Sequence, residues 1–331
     1  MDQFFTVFIT VFTLLMLAIP GFILTKTKLL NKTAEGALSA IVLYAAQPVM
    51  VFMSFQKEYR PDIAINMLIV AGIAFAVHMI MIGLMTLVLK NKGNDAKTKT
   101  IKFASIFSNC GYMGLPFLNE LFGEGNSEIL IYAAVVIGVF NLITWSFGVY
   151  IMTGDKKMMK PKKALLNPTT IGTLLGLVLF LILKKPFVTL ATGTAVQGFI
   201  TKVVGAFNVI GDLVTPLSMI LIGCKLANIK LKTLFVNKGA YLSSFFKLIV
   251  MGGVSMLLVA FLPVSPIVKY AVLFLLSMPS ATATVLFAVQ FGGDSEQASV
   301  NVLLSTILSL ITIPLMYVIF QNVFGIPPIV V

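Results

Sequence analysis

A run of about twenty apolar residues is long enough to cross the hydrocarbon core of a bilayer as one helix. Such runs recur along the whole of this chain, from Phe4–Leu24 to the segment 297–320. Lipid offers no water to pair with backbone N–H and C=O groups, so a spanning segment must be a helix or part of a closed barrel. Runs of this length without polar alternation read as helices. Charged residues make up 11% of the chain, against roughly 25% in soluble domains. Ten spans are expected, near 4–24, 35–55, 66–89, 101–121, 128–152, 169–184, 203–224, 239–262, 267–290 and 297–320. The first has no basic region before it and no small-residue cleavage site, so it reads as a retained span. The expected fold class is therefore all-α and polytopic, in the cell membrane.

A net charge of +12 would suggest a nucleic-acid partner in a soluble protein; here the lysines follow topology instead. Alternate loops hold 17 of the 24 basic residues: Lys26, Lys28 and Lys32; Lys90, Lys92, Lys97, Lys99 and Lys102; Lys156, Lys157, Lys160, Lys162 and Lys163; Lys225, Lys230, Lys232 and Lys238. Basic loops stay cytoplasmic, so both termini are expected outside. Cys110 and Cys224 both fall in expected spans and form neither a disulfide framework nor a metal pattern. No cofactor, metal or nucleic acid is expected.

A single shift of 168 residues relates the two halves. It carries Pro48 onto Pro216, Ser127-Glu128 onto Ser295-Glu296, and Asn141-Leu-Ile-Thr144 onto Ser309-Leu-Ile-Thr312. Residues 1–152 and 169–331 then form two five-span repeats joined by a cytoplasmic loop, 153–168. Five is odd, so the halves insert with opposite orientation, the inverted plan of many secondary transporters. The same shift carries Asn109–Pro116 (NCGYMGLP) onto Ser277–Thr284 (SMPSATAT). Pro116 lacks an N–H and its ring opposes the carbonyl of Tyr112; Gly111 and Gly114 permit non-helical angles. Pro279 acts likewise in the second half, where Ser280, Thr282 and Thr284 can cap freed N–H groups. Irregular backbone at membrane depth must be buried in protein or line a wet cavity. Two such breaks, crossing as spans 4 and 9, would bring positive half-helix N-termini to one point, which suits an anion.

These residues resemble the auxin efflux carrier family, within the wider superfamily of bile-acid, arsenite and riboflavin transporters. The resemblance covers all ten spans. Its most specific parts are Asn109-Cys-Gly-Tyr-Met-Gly-Leu-Pro116 and Met278-Pro279 followed by Val285-Leu-Phe-Ala288. It implies a scaffold of spans 1, 2, 6 and 7, a mobile transport domain of spans 3–5 and 8–10, and a homodimer joined through the scaffold. It also implies transport of organic anions, auxin in plants and dicarboxylates such as malate in some bacteria. The short loop Thr153–Pro168 is similar to that of compact bacterial members. Thr284 stands where plant carriers tend to have a second proline, so the auxin substrate is not carried over.

Candidate substrate contacts are Asn109, Gly111, Gly114, Pro116, Asn141, Pro279, Ser280 and Thr282. Asn109 can donate to a carboxylate or prop the broken backbone. Asn141 either touches substrate or bonds between helices. Three ionisable residues lie within spans, where charge is costly and usually functional. They are His78, Lys247 and Asp212, candidates for coupling or charge compensation; Gln47-Pro48 and Thr215-Pro216 are candidates for the substrate path. An enzyme is disfavoured: one histidine excludes an HExxH zinc site, no G-x-S-x-G stretch is present, and Asp212 has no second acid for a dyad. The expected function is an alternating-access carrier of a small organic anion; an anion channel on the same fold is the alternative.

Overall fold

The computed structural model describes residues 2–90, 95–122, 128–190, 193–228 and 231–328. Lys92, Ser127 and Lys230 lie outside the described residues. Within them the fold is helix and turn, without a strand, and eight segments are long and apolar enough to cross a membrane.

In chain order, Gln3–Lys26 contains α1 (Asp2–Met16) and α2 (Ile19–Lys26). Lys32–Ser54 contains α3 (Lys32–Ile41), a π turn (Val42–Ala46) and α4 (Gln47–Ser54), and Pro61–Val88 is α5. The fourth apolar stretch is interrupted: α6 (Ala96–Ile106), a π turn (Cys110–Gly114), then α7 (Leu115–Phe122). Glu128–Thr153 joins α8 (Glu128–Ile143), a π turn (Thr144–Gly148) and α9 (Val149–Thr153). The loop between the halves carries α10 (Pro161–Leu165), and Pro168–Thr189 contains α11 (Pro168–Leu183). Ala195–Ala227 spans α12 (Thr194–Asp212) and α13 (Val214–Ala227). After α14 (Leu231–Val236), Lys238–Ala260 joins α15 (Lys238–Ser244), a π turn (Phe245–Val250) and α16 (Met251–Ala260). The ninth apolar stretch is also interrupted, between α17 (Pro266–Ser277) and α18 (Ala283–Phe291); α19 (Ser295–Phe324) closes the fold. The eight uninterrupted segments overlap eight of the ten expected stretches, and the two interrupted ones are the two that contain the proline motifs.

Polar side chains start these helices where the chain leaves the loops. Asn31, Asp95, Asn167, Asn237 and Asp294 each accept an N–H from the first turn of α3, α6, α11, α15 and α19, the usual asparagine or aspartate cap. Inside the helices many hydroxyls bond the carbonyl one turn back, as Ser105 does to Ile101 and Thr173 to Thr169. Such groups are satisfied without a ligand.

α2 lies on α13, α4 on α11 and α12, and α1 on α19; α5 packs on α8, α15 on α19 and α16 on α17. The α2–α13 seam needs glycine: a Cβ on Gly21 would run into the Ile220 carbonyl, and one on Gly223 into the Ala18 carbonyl. Small residues bring membrane helices this close because packing, not hydrophobicity, drives their association.

Candidate functional site

The two interrupted stretches meet. Asn109 donates its N–H to the Pro279 carbonyl at 2.8 Å, and Ala281 donates to the Phe107 carbonyl at 2.8 Å. This is an isolated antiparallel bridge between Ser108 and Ser280. The serine side chains finish the pairing: Ser108 Oγ donates to the Leu275 carbonyl at 2.5 Å, and Ser280 Oγ to the Ala104 carbonyl at 2.8 Å. Ser280 N–H reaches Ser305 Oγ at 3.0 Å. Each break thus repairs the helix end of the other, as buried backbone requires.

Two details differ from the sequence reading. The local two-fold pairs Ser108 with Ser280, 172 residues apart, four more than the shift that matches Pro48 with Pro216. The interruption also falls at 107–109, ahead of Gly111 and Pro116. In the π turn that follows, the Asn109 carbonyl accepts from Gly114 at 3.0 Å and from Met113 at 3.2 Å. The extra residue widens the helix just before Pro116, which relieves the clash between the ring and the carbonyl one turn back. The same device precedes Pro48, where the π turn Val42–Ala46 ends two residues earlier.

A cavity of about 940 Å³ opens beside the bridge. Asn109, Gly111 and Thr282 lie at its inner end, and Gln47, Tyr112, Phe140, Asn141, Trp145 and Phe287 line its walls. Its mouth is lined by Lys32, Glu35, Lys225 and Glu296, at the lysine-rich end of the helices. Lys225 and Glu35 form an ion pair at 2.7 Å. Asn109 is 3% exposed. Its Oδ1 accepts from Thr282 Oγ1 at 3.2 Å, while its Nδ2 has no partner. A buried amide left with unused donors is a costly arrangement unless something accepts from it. The first N–H groups of α18 have no side-chain cap, and neither do those of the π turn that begins at Cys110. Both helix starts bring positive dipole ends near Asn109, with the Thr284 and Val285 N–H groups turned back to the Ala281 and Thr282 carbonyls at 2.9 and 3.2 Å.

Asn141 lines the cavity and donates Nδ2 to Thr170 Oγ1 at 3.1 Å, a bond from α8 to α11. A Cβ on Gly111 would meet the Gln47 amide, the far end of a flexible side chain. Gly114, Pro116, Pro279 and Ser280 are buried and do not line the cavity; they shape the bridge. Of the matched kinks only Gln47 reaches the cavity; Pro48, Thr215 and Pro216 do not. Lys247 is fully buried and lies outside the cavity. Its Nζ donates to the Leu276 carbonyl at 2.7 Å, at the C-terminal end of α17, and approaches Met251 Sδ at 3.3 Å. A cation at a helix C-terminus is electrostatically favourable. His78 is fully buried, with Nδ1 at 2.7 Å from the Ala74 carbonyl of its own helix. That contact assigns the proton to Nδ1 and leaves Nε2, which has no partner, as an acceptor. Asp212 is exposed on α12 and forms no ion pair among the described residues.

Sequence reasoning missed Trp145, the Tyr112–Ser39 contact (3.3 Å) and the Glu35–Lys225 pair. Trp145 carried one signal, being the only tryptophan in the chain. Its ring packs against Phe287 at 5.1 Å, tilted by 57°, and lies under the Lys163 ammonium.

Over 315 residues the chain is 24% identical to an uncharacterized transporter of Methanocaldococcus jannaschii, covering 92% of this chain and 96% of that one. It is 28% identical over 316 residues to an uncharacterized transporter of Methanothermobacter thermautotrophicus, with the same coverage. Residues 6–317 match the family model described as membrane transport protein, and the chain belongs to that family.

Proposed function

We propose that this membrane transporter is an alternating-access carrier of a small organic anion, with a carboxylate held at the bridge between the two interrupted stretches. The observation that carries the reading is the unpartnered Asn109 Nδ2 at the inner end of the cavity. Its two N–H donors lie with the uncapped starts of α18 and the Cys110 π turn, and hydrogen bonds to a charged acceptor are the stronger kind. The aromatic wall of Phe140, Trp145 and Phe287 suits the apolar body of such an acid. In this reading the interrupted stretches are two crossing spans, making ten in all as two inverted repeats. α1–α4 and α11–α13 form the scaffold and dimer surface; α5–α9 and α15–α19 move against it. Lys247 holds the carbonyl end of α17 where a coupling cation would otherwise sit, and His78 is the second charge-compensating candidate. Asp212, on the outer face of α12, belongs to the scaffold.

The channel alternative has less support. Every cavity-lining residue lies between the bridge and the lysine-rich end, and none comes from the opposite ends of the helices. A pocket reached from one end is what a carrier needs in one of its two states. The test is tryptophan emission of the purified protein, titrated with a series of mono- and dicarboxylates. A saturable change with at least one acid, absent in Asn109→Ala, is the expected result; no response to any carboxylate would end this reading.

A further inference from the structure

A second set of buried polar side chains runs along α19. Gln297, Asn301, Ser305 and Ser309 recur every four residues along α19, so they form one stripe, and all four are buried. The stripe begins at the lysine-rich end, where Asn237 and Gln297 exchange side-chain bonds of 2.9 and 3.2 Å. Gln297 then donates to Asn301 Oδ1 at 2.6 Å. α15 packs against this face of α19. Counted from the shared starting level of Asn237 and Gln297, at about 1.5 Å per residue, Ser244 comes level with the stretch between Asn301 and Ser305. Lys247 lies one turn deeper. None of Gln297, Asn301, Ser244, Ser277 or Lys247 lines the substrate cavity.

Two side chains along this track, Asn301 Nδ2 and Ser244 Oγ, are buried and have no partner among the described residues, and past Lys247 the same holds for Ser277 Oγ. Ser277 directly follows Leu276, whose carbonyl holds Lys247, and its Oγ lies 2.9 Å from where a Cβ on Gly252 would stand. Orphaned polar atoms cost about 1–3 kcal/mol each, and buried polar groups in this position are ordinarily satisfied by internal water.

We propose that these groups line a file of water molecules along which Lys247 exchanges a proton with the lysine-rich end of the protein, by a route separate from the substrate cavity. The ammonium passes one proton to a neighbouring water, and the file delivers it to the aqueous end. A neutral amine remains, still able to donate to the Leu276 carbonyl; the reverse transfer restores the cation. The other titratable side chains that act on Lys247 are Cys110 and His78, and no acid is among them. The proposal rests on the reading of Lys247 as the group that replaces a coupling cation.

Two measurements test it, neither using a substrate, so their failure is distinguishable from failure of the cavity reading. In a background lacking Cys110 and Cys224, Asn301→Cys and Ser244→Cys are treated with aminoethyl methanethiosulfonate, which needs water to reach a thiol. Both should react at least tenfold faster than Leu304→Cys, a buried apolar neighbour on the same helix; equal rates mean a dry core and overturn the file. In nanodiscs, the Lys247 Nζ signal of 15N-lysine-labelled protein, assigned by its loss in Lys247→Met, should exchange with deuterated water. Asn301→Leu should slow that exchange at least tenfold. An unchanged rate would remove this track as the proton route.

Discussion

At Asn109 the backbone oxygen, the side-chain oxygen and the amide nitrogen have separate tasks. The first ends the break, the second takes the Thr282 hydroxyl, and the third has no partner among the described residues. Asn109→Ala should therefore weaken apparent substrate affinity several-fold in proteoliposome uptake, the effect of losing one hydrogen bond worth about 0.5–1.5 kcal/mol. Unchanged affinity would reduce Asn109 to a backbone prop. Gly111 allows a sharper test. Its missing Cβ is replaced in space by the Gln47 amide, the mobile end of a flexible side chain. Gly111→Ala should slow transport while the folded protein persists, and Gln47→Ala should restore much of the rate in the double variant, since contacting sites couple non-additively. Lys247 belongs to the same scale. Uptake should persist with sodium replaced by choline, and Lys247→Ala should cripple it by leaving the Leu276 carbonyl unpaired. A strict sodium requirement would refute the substitution of lysine for a cation.

Among elements, the α2–α13 seam and the four π turns are the features that sequence periodicity does not announce. A π turn costs good hydrogen-bond geometry and is found mostly where a helix serves a function. Here two of the four precede prolines, one contains Lys247, and one contains Trp145, whose carbonyl accepts the Lys160 N–H at 3.1 Å. The seam yields a stability prediction. Gly223→Ala pushes a Cβ into the Ala18 backbone, which cannot swing aside, and overpacking of this kind costs about 1–3 kcal/mol. Gly253→Ala meets nothing within 4 Å and serves as the control. The melting temperature in detergent should fall for the first and hold for the second; equal melting would show that the seam relaxes freely.

For the whole molecule, one end carries most of the lysines, the cavity mouth and the loop 153–168. If basic loops stay in the cytoplasm, the cavity faces inward in this state. A cysteine at Lys160, in a background without Cys110 and Cys224, should be labelled by an impermeant reagent only from the cytoplasmic side. Labelling from outside would reverse the assignment of both termini and the direction of the cavity together.

Hydropathy and charge, read along the chain, were enough for a helical membrane protein with its lysines gathered at one end. They also located both interruptions to within a few residues. These properties are local: each depends on a stretch no longer than a span and on the lipid around it. Asn109, Gly111 and Thr282, which line the cavity, stood out in the sequence because glycine, proline and an amide within an apolar run contradict their surroundings. The pairing of Ser108 with Ser280, its offset of 172, the wall formed by Trp145 and Phe287, and the Glu35–Lys225 pair were not legible. Each joins residues far apart in sequence, so none leaves a periodic trace. Nor could the sequence tell which buried polar groups stay unpartnered. Asn301 and Ser305 look alike on one helix stripe, yet Ser305 is engaged by the Ser280 N–H and the Asn301 amide nitrogen by nothing. Only the packing of one half against the other decides which donors the backbone uses and which it leaves free.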